Sequence, residues 1–457
     1  MCLPQDLWKT EVRATRNGGK EVRVETLIFQ RAMLRSDWRI LESNASRVRT
    51  LILRGTNQSS GTVSIDPDAL NSVSFYCGSF LFPQLRKLII SPPGNFMKFP
   101  GALVSRLYFG PLLEDVVLQN VDSSVCHDIV AASQACPMLR SLRILFTVIE
   151  PCNQLPDLLT DVAERLQNLK ALSVTFGDFT ISHRSIVALA VSKMRSLESL
   201  RLYLAKGITR ERNHDPFSNL PIVYLPRLTH MSVTACPTDI EETLLNFNLT
   251  GITAFSAGFQ GITEAAAVEK AVSSITIKLP EKIQSWELAL TTFDFLENTG
   301  NSSLGSLSRF RDLTNVTLRS IKTSFTDDQV AALVFPCLCQ LHLFAQYKSL
   351  GPPITFRGVG FILRNCPRLI YLTLAINAMT HVNEPHNTLT FDANCSSLIS
   401  WNVAGSRIDD PEFTVRHVVS LMPRLREIVT TGDVKAMRKL WAKVDDLLDG
   451  WKGVSMR

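Results

Sequence analysis

The sequence lacks the segments that would carry it into a membrane or out of the cell. No apolar run in its 457 residues approaches the ~20 residues that a membrane span needs. The N-terminus, MCLPQDLWKTEVRATR, has no apolar signal core. The ten cysteines are scattered, as in proteins whose thiols stay free in a reducing compartment. We therefore expect a cytoplasmic or nuclear protein with no membrane partner.

The sequence also lacks the short motifs of common catalytic and cofactor sites. It contains no glycine-rich phosphate-binding loop and no G-x-S-x-G nucleophile motif. Cys337 and Cys339 have no second pair at zinc spacing. His381, Glu384 and His386 fall in a polar stretch that we interpret as a solvated loop rather than a metal site. We expect no enzyme, no catalytic residue, no metal and no cofactor.

Strong charge of one sign is missing as well. Lys and Arg number 48 against 42 Asp and Glu, so the net charge is +6, which is too small to predict nucleic-acid binding. Residues 1–54 carry 11 basic against 6 acidic side chains, and we interpret this excess as an exposed basic face. At 45% hydrophobic and 20% charged residues, the chain has the composition of a folded protein.

What the sequence does contain is one recurring motif. CPRLIYLTLAI at 366–376 places Leu369, Leu372 and Leu374 in the order L-x-x-L-x-L after a Cys-Pro. The first leucine-type position recurs at 85, 113, 139, 169, 197 and 228, and again at 313, 338, 369, 398 and 425. The gap between 228 and 313 holds two weaker copies, at Ile252 and Val272, and Val24 and Val48 begin two more upstream. This period is typical of leucine-rich repeats, which stack into a solenoid.

This motif has a simple physical explanation. Alternate side chains of a strand face opposite ways, so Leu372 and Leu374 point together into a core that neighbouring repeats complete. The proline before each strand ends the preceding helix. Helical patterns follow the strands, with caps at Thr180 or Ser182, at Thr326 and at Asp410. The sequence therefore predicts an α/β solenoid, a ribonuclease-inhibitor-like horseshoe with a parallel inner sheet and outer helices.

The interruptions of the pattern suggest how the chain is organised. We interpret residues 1–54 as an N-terminal capping strand–helix–strand segment and 55–432 as the repeats. An irregular insertion is expected near 278–308, with a helix in SWELALTTFDFLEN. Residues 433–457 are expected to form a C-terminal capping helix and tail, with Gly450 ending the helix.

The candidate site is the concave face, onto which the residues between core positions project. Arginine and aromatic residues among small polar ones are typical of protein interfaces, although a merely polar exposed sheet remains the alternative. We predict protein binding there by Arg143, Arg201, Tyr203, His230, Arg319, His342, Phe344, Tyr371 and Asn402, with Lys87 and Thr276 on the same face.

A resemblance at the N-terminal end suggests a more specific function. LPQDLW, VETLIFQR and RSDWRILESNASRVRTLIL follow one another within residues 3–53. This region resembles the segment just after the F-box in F-box/leucine-rich-repeat-like proteins of mushroom-forming fungi. The matching positions are Asp37, Trp38, Ala45, Arg47, Val48, Arg49 and Leu51. The resemblance implies a non-catalytic, substrate-recruiting subunit of an SCF-type ubiquitin ligase.

The F-box itself is not found. Leu3-Pro4-Gln5-Asp6-Leu7 is similar to its opening, but a polar run with Gly18-Gly19 follows and predicts a turn and a strand. We therefore expect the chain to bind the ligase adaptor only through an upstream F-box. The alternatives are a stand-alone scaffold for another protein and, third, a regulator of GTPases. We expect a monomer without nucleic acid.

Overall fold

The computed structural model describes 4–17, 20–54, 63–65, 69, 72–73, 80–91, 107–119, 136–145, 155–176, 191–204, 222–260, 265–290, 306–320, 326–345, 354–379, 397–403, 405–430 and 435–455. The chain divides into two compact units. Unit 1 comprises Met1–Leu228 with Asn246–Asn248, and unit 2 comprises Thr229–Leu245 with Leu249–Arg457.

Unit 1 begins with a hairpin. Strand β1 (Trp8–Asn17) pairs antiparallel with β2 (Lys20–Phe29), and the short β4 (Val63–Ile65) lies parallel to β2. The sequence interpretation placed Val24 in an upstream copy of the repeat. Its strand is instead part of this hairpin, where its backbone pairs with Arg13 rather than with a repeat strand.

Helix α1 (Arg35–Ala45) follows the hairpin and is anchored by an ionic cluster. Asp37 is buried, accepts the backbone N–H of Leu34 at 2.8 Å, and is 2.5 Å from Nη1 of Arg31. The same guanidinium reaches Asp6 at 2.8 Å. The cluster therefore ties the start of α1 to the residues on both sides of the hairpin.

The repeats of unit 1 contribute six parallel strands that pair in chain order. They are β3 (Thr50–Arg54), β5 (Lys87–Ser91), β6 (Asp115–Gln119), β7 (Ser141–Leu145), β8 (Ala171–Phe176) and β9 (Ser199–Leu204). Helix α2 (Leu155–Arg165) precedes β8.

The repeats of unit 2 form a second parallel series, of eight strands. They are β10 (His230–Ala235), β11 (Ala254–Phe259), β12 (Ser285–Leu290), β13 (Asn315–Ser320), β14 (Gln340–Ala345), β15 (Tyr371–Leu374), β17 (Ser400–Asn402) and β19 (Glu427–Val429). A small separate pair joins β16 (Asn377–Ala378) to β18 (Arg407–Ile408).

Helices connect these strands. They are α3 (Pro237–Leu245), α4 (Ala265–Lys278), α5 (Asp327–Ala331), α6 (Phe356–Asn365), α7 (Pro411–Leu421) and α8 (Lys435–Ser455), with a 3-10 turn at Ser306–Arg309. The predicted caps at Thr326 and Asp410 are confirmed: each side chain accepts backbone N–H groups of the first helical turn. The cap predicted at Thr180 or Ser182 lies outside the described residues.

The recurring leucines are buried, as their alternation predicts. Leu369, Leu372 and Leu374 are at most 1% exposed. In register, Leu372 lies between Leu341 and Trp401, so equivalent side chains stack from repeat to repeat. The backbone N–H of Leu369 donates to the carbonyl of Cys366, which closes the turn into the strand. The fold is thus α/β, a leucine-rich-repeat array with a parallel sheet, as the sequence predicts.

One copy of the repeat was misplaced. Residues from Val272 were interpreted as a strand with Thr276 on the concave face, but they lie in α4, where Thr276 is 2% exposed and donates to the carbonyl of Val272. The true copy begins at Ile283 and continues into β12, in the segment SWELAL that was predicted to be helical. The first positions then fall at 228, 252, 283 and 313, so this part of the expected 278–308 insertion is a regular repeat.

Helix α8 packs against the last repeats. Trp441, Val444 and Leu448 are buried, and the Trp441 ring meets Trp401 edge to face with centroids 5.8 Å apart. Gly450 was predicted to end this helix, but the helix continues to Ser455. A glycine inside a helix costs only about 1 kcal/mol relative to alanine, which the neighbouring turns offset. The domain limits and the capping role of α8 stay predictions.

Candidate functional site

The site is built from strand residues that alternate with the core leucines. In each unit they form a solvent-facing surface that we call the open face. Because the parallel strands of unit 2 are in register, its open-face residues line up in rows that cross the strands. The middle row contains Ser232, Ser256, Glu287, Thr317, His342, Thr373, Asn402 and Val429.

Arg319 and Phe344 are direct neighbours in the next row. The guanidinium carbon of Arg319 is 5.5 Å from the centre of the Phe344 ring, which is a cation–π geometry. Nε of Arg319 is also 3.4 Å from Oε1 of Glu287, one strand away in the other direction. Since 60% of the Arg319 side chain stays exposed, the arginine is held in place while its outer surface remains available to a partner.

His342 adds a second contact to Phe344. The two rings stack at 6.0 Å with an interplanar angle of 11°, and Nδ1 of His342 lies 2.8 Å from Oγ1 of Thr373. Burial, with a smaller contribution from the charge of Arg319, lowers the pKa of His342 below its usual value. Glu287, Arg319, His342, Phe344 and Thr373 therefore form one connected group, which we call the Arg319 cluster.

The other predicted residues of unit 2 lie at different distances from this cluster. Tyr371 is 44% exposed and neighbours Gln340 in the first row. Asn402 is half-buried beside Thr373. His230 is exposed on β10, four strands from His342, a separation of about 19 Å. The fold thus brings Tyr371 and Asn402 to the edge of the cluster but not His230.

In unit 1, the open face carries Arg143, Arg201 and Tyr203. Arg143 and Arg201 are exposed and flank Ser173 in one row. Tyr203 is 40% exposed and neighbours Thr175. Lys87 lies on the same face, where its Nζ is 3.1 Å from Asp115 of the next strand.

Sequence reasoning missed Glu287 and Thr373. Glu287 alternates with the buried Trp286 and with Leu288, and this strand pattern was the signal that could have found it. Thr373 lies between two core leucines, on the side of the strand that the alternation predicts to face solvent. It is 6% exposed because His342 from the neighbouring strand covers it, which no local pattern indicates.

The described part of the chain shows no group of metal ligands and no membrane span. Within it, no three His, Cys, Asp or Glu side chains come together as ligands for a metal ion. Cys337 and Cys339 are both free thiols. The stretch with His381, Glu384 and His386 lies outside the described residues. No described helix combines the length and the apolar character needed to cross a membrane.

Comparisons with known proteins give only distant structural likenesses. No family model and no curated protein matches the sequence. The leucine-rich-repeat protein LegL7 from Legionella pneumophila is similar, at 11% identity over 73% of this chain and 91% of that chain (TM-score 0.33). A chain in the Rad7 and Elc1 complex in yeast matches at 13% identity over 81% and 84% (TM-score 0.42). The Leptospira interrogans LRR protein LIC12759 matches at 14% over 88% and 96% (TM-score 0.36).

Proposed function

We propose that the chain is a non-catalytic protein-binding module whose open face recognises a partner protein. The Arg319 cluster is the observation that carries this proposal. Its arginine and phenylalanine are pre-positioned by Glu287 and His342, so little side-chain entropy is lost when a partner binds. Exposed arginine and aromatic side chains are also the types that contribute most to protein interfaces.

A more specific proposal is that the bound partner is a substrate of an SCF-type ubiquitin ligase. Its support is the resemblance of residues 3–53 to the post-F-box segment of the fungal proteins. The buried Asp37 of that segment gives the match a structural reason, because its carboxylate holds Arg31 and the start of α1. The described residues between 4 and 34 form a hairpin rather than a helical F-box. We therefore propose that this hairpin does not take the place of an F-box in binding the ligase adaptor.

The experiment is affinity capture with quantitative mass spectrometry from a native extract. The bait carries Arg319→Ala and Phe344→Ala, and its control carries Arg357→Ala and Phe361→Ala. The control pair has the same residue types and a similar cation–π contact, 5.3 Å, but lies on α6. We expect the open-face variant to lose captured partners about tenfold or more, while the α6 variant keeps them.

Loss of the same partners from both variants, or from the α6 variant alone, would contradict binding by the open face. The ligase role is tested separately, by measuring whether the ligase adaptor co-purifies with the chain. It should co-purify with a chain extended upstream through an F-box but not with the 457-residue chain. If the adaptor binds neither form while the open-face partners persist, the chain is a stand-alone scaffold.

A further inference from the structure

One row of the open face in unit 1 changes from aliphatic to basic side chains along its length. It runs across six strands through Ile52, Ile89, Val117, Arg143, Ser173 and Arg201. Ile52 is 47% exposed, Ile89 is half-buried and Val117 is buried, so the first half is aliphatic and partly accessible. The second half presents two exposed arginines on either side of a serine. We call this line of residues the arginine row.

Several charged residues around this sheet are paired between repeats. Cations and carboxylates of adjacent repeats pair with one another: Lys87 with Asp115 at 3.1 Å, and Lys170 with Glu198 at 2.7 Å. Arg86 and Glu114 form a third such pair at 3.2 Å.

Arg143 and Arg201 stand apart from this pattern. Their row neighbours are Val117 and Ser173, which carry no charge. The acidic side chain of Asp115, on the same face, is paired with Lys87. Among the described residues, therefore, these two guanidinium groups face solvent without a carboxylate partner.

Their spacing suits an extended acidic chain. Arg143 and Arg201 are two strands apart, so their backbones are separated by about 10 Å. Same-side residues of an extended peptide repeat at about 6.7 Å. Two long arginine side chains can lean together over Ser173 to meet two such carboxylates, each in a forked pair of hydrogen bonds. A single phosphate group, by contrast, would occupy only the middle of the space between Arg143 and Arg201.

We propose that the arginine row binds an extended acidic segment of the partner protein, with carboxylates on Arg143 and Arg201. An apolar residue of the segment contacts Ile52 and Ile89, and the exposed ring of Tyr203 borders the arginine end. This inference rests on the proposed function, because it assigns the chemistry of the partner that the open face recognises. It uses unit 1 alone and is independent of the Arg319 cluster.

The test is fluorescence anisotropy with the full chain and labelled twelve-residue peptides. The probe contains Glu and Asp at alternate positions in one half and Leu and Val in the other. Its neutral counterpart replaces the acids by Gln and Asn, and a third peptide replaces them by phosphoserine. The Arg143→Ala/Arg201→Ala chain is compared with Arg424→Ala/Arg438→Ala, which removes the same charge from exposed positions of unit 2.

We expect the acidic probe to bind the natural chain and the unit 2 control alike, and the arginine-row variant about tenfold or more weakly. Replacing both arginines by Lys should restore only part of the binding, since lysine keeps the charge but not the forked geometry. Equal losses in both alanine variants, or equal binding of the neutral peptide, would overturn the proposal. So would binding of the phosphoserine peptide alone.

The outcomes separate this inference from the proposed function. If the arginine-row variant still captures the partners that the Arg319/Phe344 variant loses, the acidic segment is wrong and the open-face function stands. If neither variant loses partners while the acidic probe binds only through the arginine row, the row is a genuine acidic-peptide site but the proposed function of the Arg319 cluster fails.

Discussion

Asp327 of one repeat holds Thr355, the residue that caps the helix of the next repeat. Its carboxylate accepts the backbone N–H of Thr355 at 2.8 Å and the Thr355 hydroxyl at 2.7 Å, just before α6 begins. The Thr355 hydroxyl in turn accepts the N–H of Arg357 at 3.2 Å. A polar link thus joins consecutive helices of unit 2 alongside the apolar stack of their strands.

This link explains a glycine and predicts an effect of replacing it. A Cβ at Gly358 would collide with Oδ1 of Asp327 and come within 2.8 Å of Cγ2 of Ile354. We expect Gly358→Ala to lower the free energy of unfolding by about 1–3 kcal/mol, because the Asp327 carboxylate that holds Thr355 must shift. The control is Gly450→Ala in α8, where a Cβ would meet nothing within 4 Å. It should stabilise the chain by up to about 1 kcal/mol. Urea unfolding measures both, and the same sign for both would contradict the account.

Leu372 and Thr373 are adjacent on one strand but are held by different interactions. Leu372→Ala removes a fully buried side chain and should cost about 2–5 kcal/mol. Thr373→Val keeps the volume but removes the hydroxyl beside Nδ1 of His342, which should cost about 1 kcal/mol. Thermal and urea unfolding would show the difference. A loss from Thr373→Val as large as that from Leu372→Ala would mean that the strand does not alternate as observed.

The Asp37 cluster should make stability depend on pH in the acid range. The hydrogen bonds from Arg31 and from the Leu34 backbone lower the pKa of Asp37 below its usual value. In the unfolded chain this carboxyl titrates near its ordinary pKa, so the unfolded state binds the proton first as the pH falls. The stabilisation is therefore complete well above pH 4 and is lost as the pH falls through the folded-state pKa.

The variant Asp37→Asn should be less stable than the natural chain at pH 7 and should show a shallower loss of stability between pH 5 and pH 3. Lys9→Gln or Glu11→Gln, in the exposed ion pair on β1, should leave the acid slope nearly unchanged. The unfolding midpoint measured across this pH range is the test. Parallel curves for Asp37→Asn and the natural chain would contradict a lowered pKa.

Trp441 is expected to protect the end of the repeat array. Its ring contacts Trp401, and its Nε1 donates to the carbonyl of Ser406 at 3.3 Å. Trp441→Ala should cost about 3–5 kcal/mol locally and speed amide exchange in β17, α7 and β19. Lys443→Ala, at an exposed position of the same helix, is the control. Unchanged exchange in residues 397–430 would show that α8 does not act as a cap.

The sequence alone determined the repeat, most of its strands and the start of two helices. These features are local. The spacing of Leu369, Leu372 and Leu374 recurs from repeat to repeat. Thr326 and Asp410 each cap the helix that begins at the next residue. The direction in which Arg319, His342 and Phe344 point followed from the same alternation. The tertiary structure decided which of them touch, because contacts such as Arg319 with Phe344 and His342 with Thr373 depend on the register between strands far apart in the chain.

The sequence was ambiguous where one pattern fitted two structures. Val272, Ile275 and Leu279 lie on one face of a helix, while Ile275 and Ile277 alternate as in a strand. Ile277 is 73% exposed in α4, so only packing settled the choice. The strand of that repeat is Ser285–Leu290 instead. The Trp286 ring packs between Phe255 and Phe310, with ring centroids 5.6 and 5.7 Å away. An aromatic stack between repeats is a property of the assembled core, and the tertiary structure decided it.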